Sequence, residues 1–185
     1  MPIQIGRRPD HTVDQPLGLL SDCHRRIEHF LDVLTAIDRH VEGGVLTQGQ
    51  REELRTALTY FATAAPKHTA DEEQSLFPRL RATGDPHAAQ TLEVLHRLER
   101  DHDDADRHHA AVDVLGQRWL ATGGLHPVEV DALRAHLAAL QAIYKEHIGI
   151  EDGELFPAAA RLLSSDQLIE VGLEMAARRK PGARP

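Results

Sequence analysis

A chain of 185 residues, 41% apolar but only 4% aromatic, is long enough for one buried core and must build it mainly from Leu, Ala, Val and Ile. Such a core suits packed helices better than sheets, whose strands favour β-branched and aromatic side chains. The formal charge of −8 argues against a nucleic-acid partner. The single cysteine excludes an internal disulfide and fits a reducing compartment. No stretch approaches the ~18 apolar residues of a membrane-spanning helix, and "MPIQIGRRPD" has no apolar run behind its charges and does not read as a signal peptide. A soluble, cytoplasmic protein with no membrane partner is expected.

Residues 1–13 are expected to form an irregular arm. A first helix should begin near Asp14, with Pro16 in its first turn, and run to about Val41. Its Leu20, Ile27, Leu31 and Leu34 keep to one stripe. After "EGG" (42–44) a second helix spans about Thr47 to Arg81, and after "TGDP" (83–86) a third spans about Pro86 to Ala121. "TGGLHP" (122–127) opens a fourth, to about Leu162, and "LSS" (163–165) a short fifth, about Asp166 to Ala177. Arg178, Arg179, Lys180 and Arg184 make a basic tail, read as a solvated end. Four long helices on short loops predict an all-α, up-down-up-down four-helix bundle over 14–162, with the short helix and tail over 163–185. Pro66 removes a backbone hydrogen bond two residues before His68, and Pro78 and Pro157 are expected to kink or end their helices.

Thirteen histidines are the most unusual feature of the composition, and some fall in a repeated phrase. "HTADEEQSLFPRL" begins at His68 and "HIGIEDGELFPAA" at His147, with Glu73 matched by Asp152. Within a helix, positions i and i+4 share a face. His68 with Glu72 and His147 with Glu151 therefore each present an imidazole and a carboxylate together. The other long helices offer His24 with Glu28 and His102 with Asp106. At ~1.5 Å per residue, the four histidines lie about 12 to 24 Å from the same end of an up-down bundle, a common layer within the uncertainty of the helix ends. Buried carboxylates without partners repel and carry a heavy desolvation penalty, which cations remove. Imidazole with carboxylate suits iron or manganese, and also zinc, and two ions fit the ligand count. Each ion takes two imidazoles, Glu72 and Glu151 bridge, and Asp106 and Glu28 are candidate terminal ligands. At least one position is left for water, dioxygen or peroxide.

In its order of motifs the chain resembles the hemerythrin-like (HHE cation-binding) domain family: a lone His on the first helix, His-x-x-x-Glu on the second, a His on the third and His-x-x-x-Glu on the fourth. The resemblance covers roughly residues 14 to 162. It implies a non-haem di-iron centre, two iron ions ahead of manganese or zinc, with His24 and His68 on one iron, His102 and His147 on the other, and Glu72 and Glu151 bridging. Two positions depart from the oxygen-carrying hemerythrins, which have a second His where this chain has Asp106, and His-x-x-x-x-Asp where it has His147-x-x-x-Glu151. The added negative charge should favour ferric iron over reversible oxygen release. The family resemblance thus implies redox chemistry with dioxygen, peroxide or nitric oxide; the alternative is a non-enzymatic iron- or oxygen-sensing or iron-binding module. Ferritin-like proteins run Glu-x-x-His, matched by Glu99 and His102 but not before His147, where position 144 is Tyr. Among the remaining residues, Cys23 reads as a buried structural thiol, Tyr144 as core or a donor near the site, Glu154 as solvated, and His109 and His136 as neighbours of the layer.

Overall fold

In the computed structural model, which describes residues 10–84 and 88–180, all regular structure is helical. Expectations for residues 1–9 of the arm, for Pro86 and His87, and for Arg184 fall outside the described residues. The first long rod is α1 (Pro16–Val41). The second is built from α2 (Gln48–Thr63), α3 (Ala65–Asp71), a π-helical turn (Glu72–Leu76) and α4 (Phe77–Arg81). The third is α5 (Ala88–Thr122). The fourth joins α6 (Pro127–Ile150), a second π-helical turn (Glu151–Leu155) and α7 (Phe156–Leu162), and α8 (Ser165–Arg178) follows. α1 and α5 each pack against both α2 and α6, which closes a ring of four. No described helix is long and apolar enough to cross a membrane.

The helix ends have local causes. Thr47 and Ser164 each cap the helix that follows, accepting from the backbone N–H of Gln50 and Gln167 while those side chains accept from the cap's own N–H. After α1 the chain turns through Glu42 and Gly43, both at positive φ. A Cβ on Gly43 would stand 2.3 Å from Val130 Cγ2, so a side chain there meets steric strain as well as conformational strain. Trp119 closes the same corner by donating from Nε1 to the Gly44 carbonyl at 2.8 Å.

The three prolines behave differently. Pro66 restarts the helix: α2 ends at Thr63, Ala64 forms a turn, and α3 begins with the proline in its first turn. Pro78 and Pro157 do not end their rods. Instead each is preceded by a π-helical turn in which Phe77 N–H bonds Glu72 O and Phe156 N–H bonds Glu151 O. The wide turn takes up the missing N–H and the ring clash that would break a regular helix, so the rod continues.

Two apolar clusters fill the interior. One gathers Ile27, Leu31, Leu58, Trp119, Leu137 and Leu140 among others; the second gathers Leu20, Leu76, Phe77, Leu98, Phe156 and Met175 among others. On each long rod one of the four histidines falls between members of the two clusters: His24 between Leu20 and Ile27, His68 between Ala65 and Leu76, His102 between Leu98 and Ala105, and His147 between Leu140 and Leu155. A polar layer is thus sealed above and below by hydrocarbon.

α8 is clamped onto this frame by charge. Arg178 Nη1 and Arg179 Nη2 donate to the two oxygens of the fully buried Asp71 at 2.9 and 2.6 Å. Arg79 reaches Glu174 at 2.8 Å and Glu170 at 3.1 Å. Two cations of the basic tail therefore face inward and do not form a solvated end. At the other terminus His11 N–H donates to buried Asp22 at 2.8 Å, and Val13 passes over Gly172 of α8.

Candidate metal centre

The layer brings together His24, His68, Glu72, His102, His147 and Glu151, all buried. They form two overlapping groups, His24–His68–Glu72–Glu151 and Glu72–His102–His147–Glu151. Within each group, one ligand atom from every residue lies within 4.8 Å of the others. Glu72 sends Oε1 towards His68 Nε2 (3.3 Å) and His24 Nε2 (3.8 Å), and Oε2 towards His102 Nε2 (3.3 Å). Glu151 Oε2 faces His24 Nε2 (3.0 Å) and His147 Nε2 (3.2 Å).

These approaches are short, yet they do not satisfy the groups. Among the described residues, all four oxygens of Glu72 and Glu151, and Nε2 of His24, His102 and His147, lack a properly angled hydrogen-bond partner. Buried polar atoms are rarely left in that condition. Atoms that close, aimed at shared space and not at one another, are arranged as ligands. Four imidazoles and two carboxylates without a thiolate suit iron, manganese or zinc. The residues fit a metal pair.

Electrostatics show what the cluster does without one. Burial opposes charge on both carboxylates, but the surrounding imidazoles outweigh it: His68, His102 and His24 hold Glu72 well below the ordinary range. Glu151, also opposed by Glu72, is held down by His147 and His24. Burial would depress His24 as well, yet Asp152, Glu151 and Glu72 raise it well above its usual value. His102 rises to about 10 against the same burial, through Glu72 and Glu73. His68 goes the other way, to about 4, because burial exceeds the pull of Glu72. Protons on two imidazoles balance two carboxylates, and an incoming metal would have to displace them.

Three further acids reach the imidazoles from behind. Asp152 Oδ1 lies 3.1 Å from His24 Nδ1 and accepts from Ser21 Oγ at 2.7 Å. Glu73 Oε1 lies 2.8 Å from His102 Nδ1. Asp101 stands 3.6 Å from His147 Nδ1, beyond hydrogen-bond range, and His68 Nδ1 is buried with no partner among the described residues. The sequence reading gave no role to Asp152, Glu73 or Asp101. For the first two a signal existed, since they are the matched acids that follow the Glu in the repeated phrase.

Glu28 and Asp106 are exposed and lie outside both groups. Asp106 lines a cavity between α2 and α5 together with His109. His136 pairs with His108, Nδ1 to Nδ1, at 2.9 Å. Glu154 is exposed, and Cys23 is buried with Arg26 Nη2 3.2 Å from its sulfur.

The family model described as "Hemerythrin HHE cation binding domain" matches residues 15–159. An uncharacterized protein of Haemophilus influenzae (strain ATCC 51907 / DSM 11121 / KW20 / Rd) is 29% identical over 171 residues, covering 91% of this chain and 92% of that protein. The family match starts one residue before α1, ends within α7 and takes in all six converging side chains. This chain belongs to the hemerythrin HHE cation-binding domain family.

Proposed function

We propose that the protein is a non-haem di-iron protein that reacts with dioxygen, peroxide or nitric oxide at an open iron position, inside an up-down-up-down four-helix bundle. In this reading His24 and His68 hold one iron, His102 and His147 the other, and Glu72 and Glu151 bridge. Glu28 and Asp106 are left out of the ligand set because both stand exposed. The observation that carries the reading is the pair of overlapping groups, which share two fully buried carboxylates whose oxygens are otherwise unsatisfied.

Bound there, the metal pair would supply redox chemistry towards a small oxygen- or nitrogen-containing ligand. The chain supplies the rest. Asp152 and Glu73 fix the tautomers of His24 and His102 by holding their Nδ1 protons, which leaves the Nε2 lone pair turned inward to ligate a metal. The apolar clusters on both sides keep water away from the layer and strengthen each charge interaction inside it.

The test is metal content by mass spectrometry on aerobically purified protein, with absorption spectra before and after peroxide. About two irons per chain, a spectrum that shifts and peroxide that disappears is the expected result. Two irons with an inert spectrum would favour the non-enzymatic sensing or iron-binding alternative. A folded protein with one zinc or no metal would overturn the di-iron assignment.

A further inference from the structure

Tyr144 lies on α6, three residues before His147, its ring edge-on to that imidazole with centroids 6.4 Å apart. Its hydroxyl is 3.0 Å from Nε2 of His109 on α5. His109 stacks on Phe61 of α2, with centroids 4.2 Å apart at 26°. Both Phe61 and His109 line a cavity of about 250 Å³ whose wall also includes Leu58, Val112 and Asp106.

Burial lowers His109 to about 4, so its imidazole is neutral near neutral pH. At 3.0 Å the phenol is placed to donate to Nε2. In that arrangement the imidazole's own proton sits on Nδ1, which is buried and has no hydrogen-bond partner among the described residues, on a residue that lines the cavity. For packing alone this is a costly choice. A phenylalanine and an apolar neighbour would fill the same space without an orphaned donor. Among the described residues the other tyrosine, Tyr60, has no such partner: it stacks on Phe30, and its hydroxyl reaches the Cys23 carbonyl at 3.5 Å.

We propose that Tyr144 is a one-electron donor to the metal centre and that His109 is the base that takes its proton; this rests on the di-iron reading above. The oxidant would be peroxide or dioxygen acting through the bound metal pair. One electron leaves the phenol for that pair, the O–H bond breaks, and the proton moves to His109 Nε2. A neutral phenoxyl radical remains beside the imidazolium of His109. His109 Nε2 receives the proton directly and is the base for that step.

The experiment mixes metal-loaded full-length protein with hydrogen peroxide, freezes it at intervals and records the electron paramagnetic resonance spectrum. A phenoxyl signal that narrows in protein grown on ring-deuterated tyrosine is expected. It should vanish in Tyr144→Phe, survive in Tyr60→Phe, and leave the metal content of both unchanged. A base held at hydrogen-bond distance is typically worth ~10²-fold or more, so His109→Leu should slow radical formation by about that factor. A wild-type protein that loads two irons but gives no radical overturns this proposal alone. A radical that persists in Tyr144→Phe also overturns it. A protein that binds no metal overturns the di-iron reading and this proposal with it.

Discussion

The sharpest test of the centre removes a group that would not touch the metal. Glu73 contributes one carboxylate oxygen 2.8 Å from His102 Nδ1, while His102 turns Nε2 into the layer. Truncation to Ala frees the ring and its tautomer. Losing such a partner behind a ligating imidazole typically costs 10- to 100-fold in metal affinity, or about 1.4 to 2.8 kcal/mol. The Glu73 side chain is 35% exposed, and solvent screening keeps the loss below the top of that range. Asp152 should matter less, because its bond to His24 is longer, at 3.1 Å, and the oxygen is shared with Ser21. Glu73→Gln retains an acceptor at the same reach and should recover most of the affinity lost in Glu73→Ala. Competition against a chromophoric chelator gives the affinities, and circular dichroism checks that each variant folds. A folded Glu73→Ala protein that binds metal as tightly as wild type would refute the idea that this carboxylate orients His102.

Three further outcomes are expected. The metal-free protein should be most stable near neutral pH, as read by thermal melts in chelator. On the alkaline side, His24 and His102 are raised, so their contribution is complete below ~6.5 and is lost as pH climbs through about 10 for His102. On the acid side, lowered Glu72 and Glu151 lose theirs as pH falls below ~4.5, and lowered His68 loses its own between ~6.5 and about 4. Metal loading should flatten the alkaline limb, because ligating imidazoles are already deprotonated. Arg178→Ala with Arg179→Ala leaves Asp71 buried and unpaired, and should cost ~3–5 kcal/mol in denaturant unfolding, with most of it recovered by adding Asp71→Asn. Gly172→Ala places a Cβ 1.9 Å from the Val13 carbonyl oxygen. The ~0.5–1 kcal/mol gained from helix propensity is smaller than the ~1–3 kcal/mol of overpacking, so the melting temperature should fall.

How far the sequence could show this varies from residue to residue. The helix breaks were legible because "EGG" and "TGGLHP" carry turn chemistry, and α1 and α6 start at or close to where proline and the preceding residues place them. His68, Glu72, His147 and Glu151 were legible from i, i+4 spacing. The same spacing offered Glu28 and Asp106, which the structure leaves exposed. Spacing gives a shared face but not the rotation of the helix. The apolar stripe does give it: on α1 the inward series is Leu20, His24, Ile27, Leu31, so the inward position after His24 is three residues on, and Glu28 turns out. On α5 the series Leu95, Leu98, His102, Ala105 places Ala105 inward and Asp106 outward in the same way. Cross-helix partners such as Arg178 with Asp71 had no local signal, because their contact depends on how α8 docks.

The repeated phrase contains more than its ligands require, and the structure gives each extra residue a task on a neighbouring helix. In the first copy, Glu73 holds His102 Nδ1 and Phe77 stacks on the same ring, with planes 8° apart and centroids at 6.4 Å. In the second, Asp152 holds His24 Nδ1 and Phe156 stacks on that ring, with planes 11° apart and centroids at 5.5 Å. Each copy thus supplies one imidazole and one carboxylate of its own, and a cradle for an imidazole that has no motif around it. The proline belongs to the same device. It makes a regular helix unworkable in the turn leading up to the Phe, and the π-helical turn that answers it starts at Glu72 or Glu151 itself. Conserving the apolar core would not require the proline to follow the phenylalanine in both copies; carrying the ring-stacking Phe past a wide turn would. On this argument His24 and His102 need no motif on their own helices, because the motif that orients each of them is written on another.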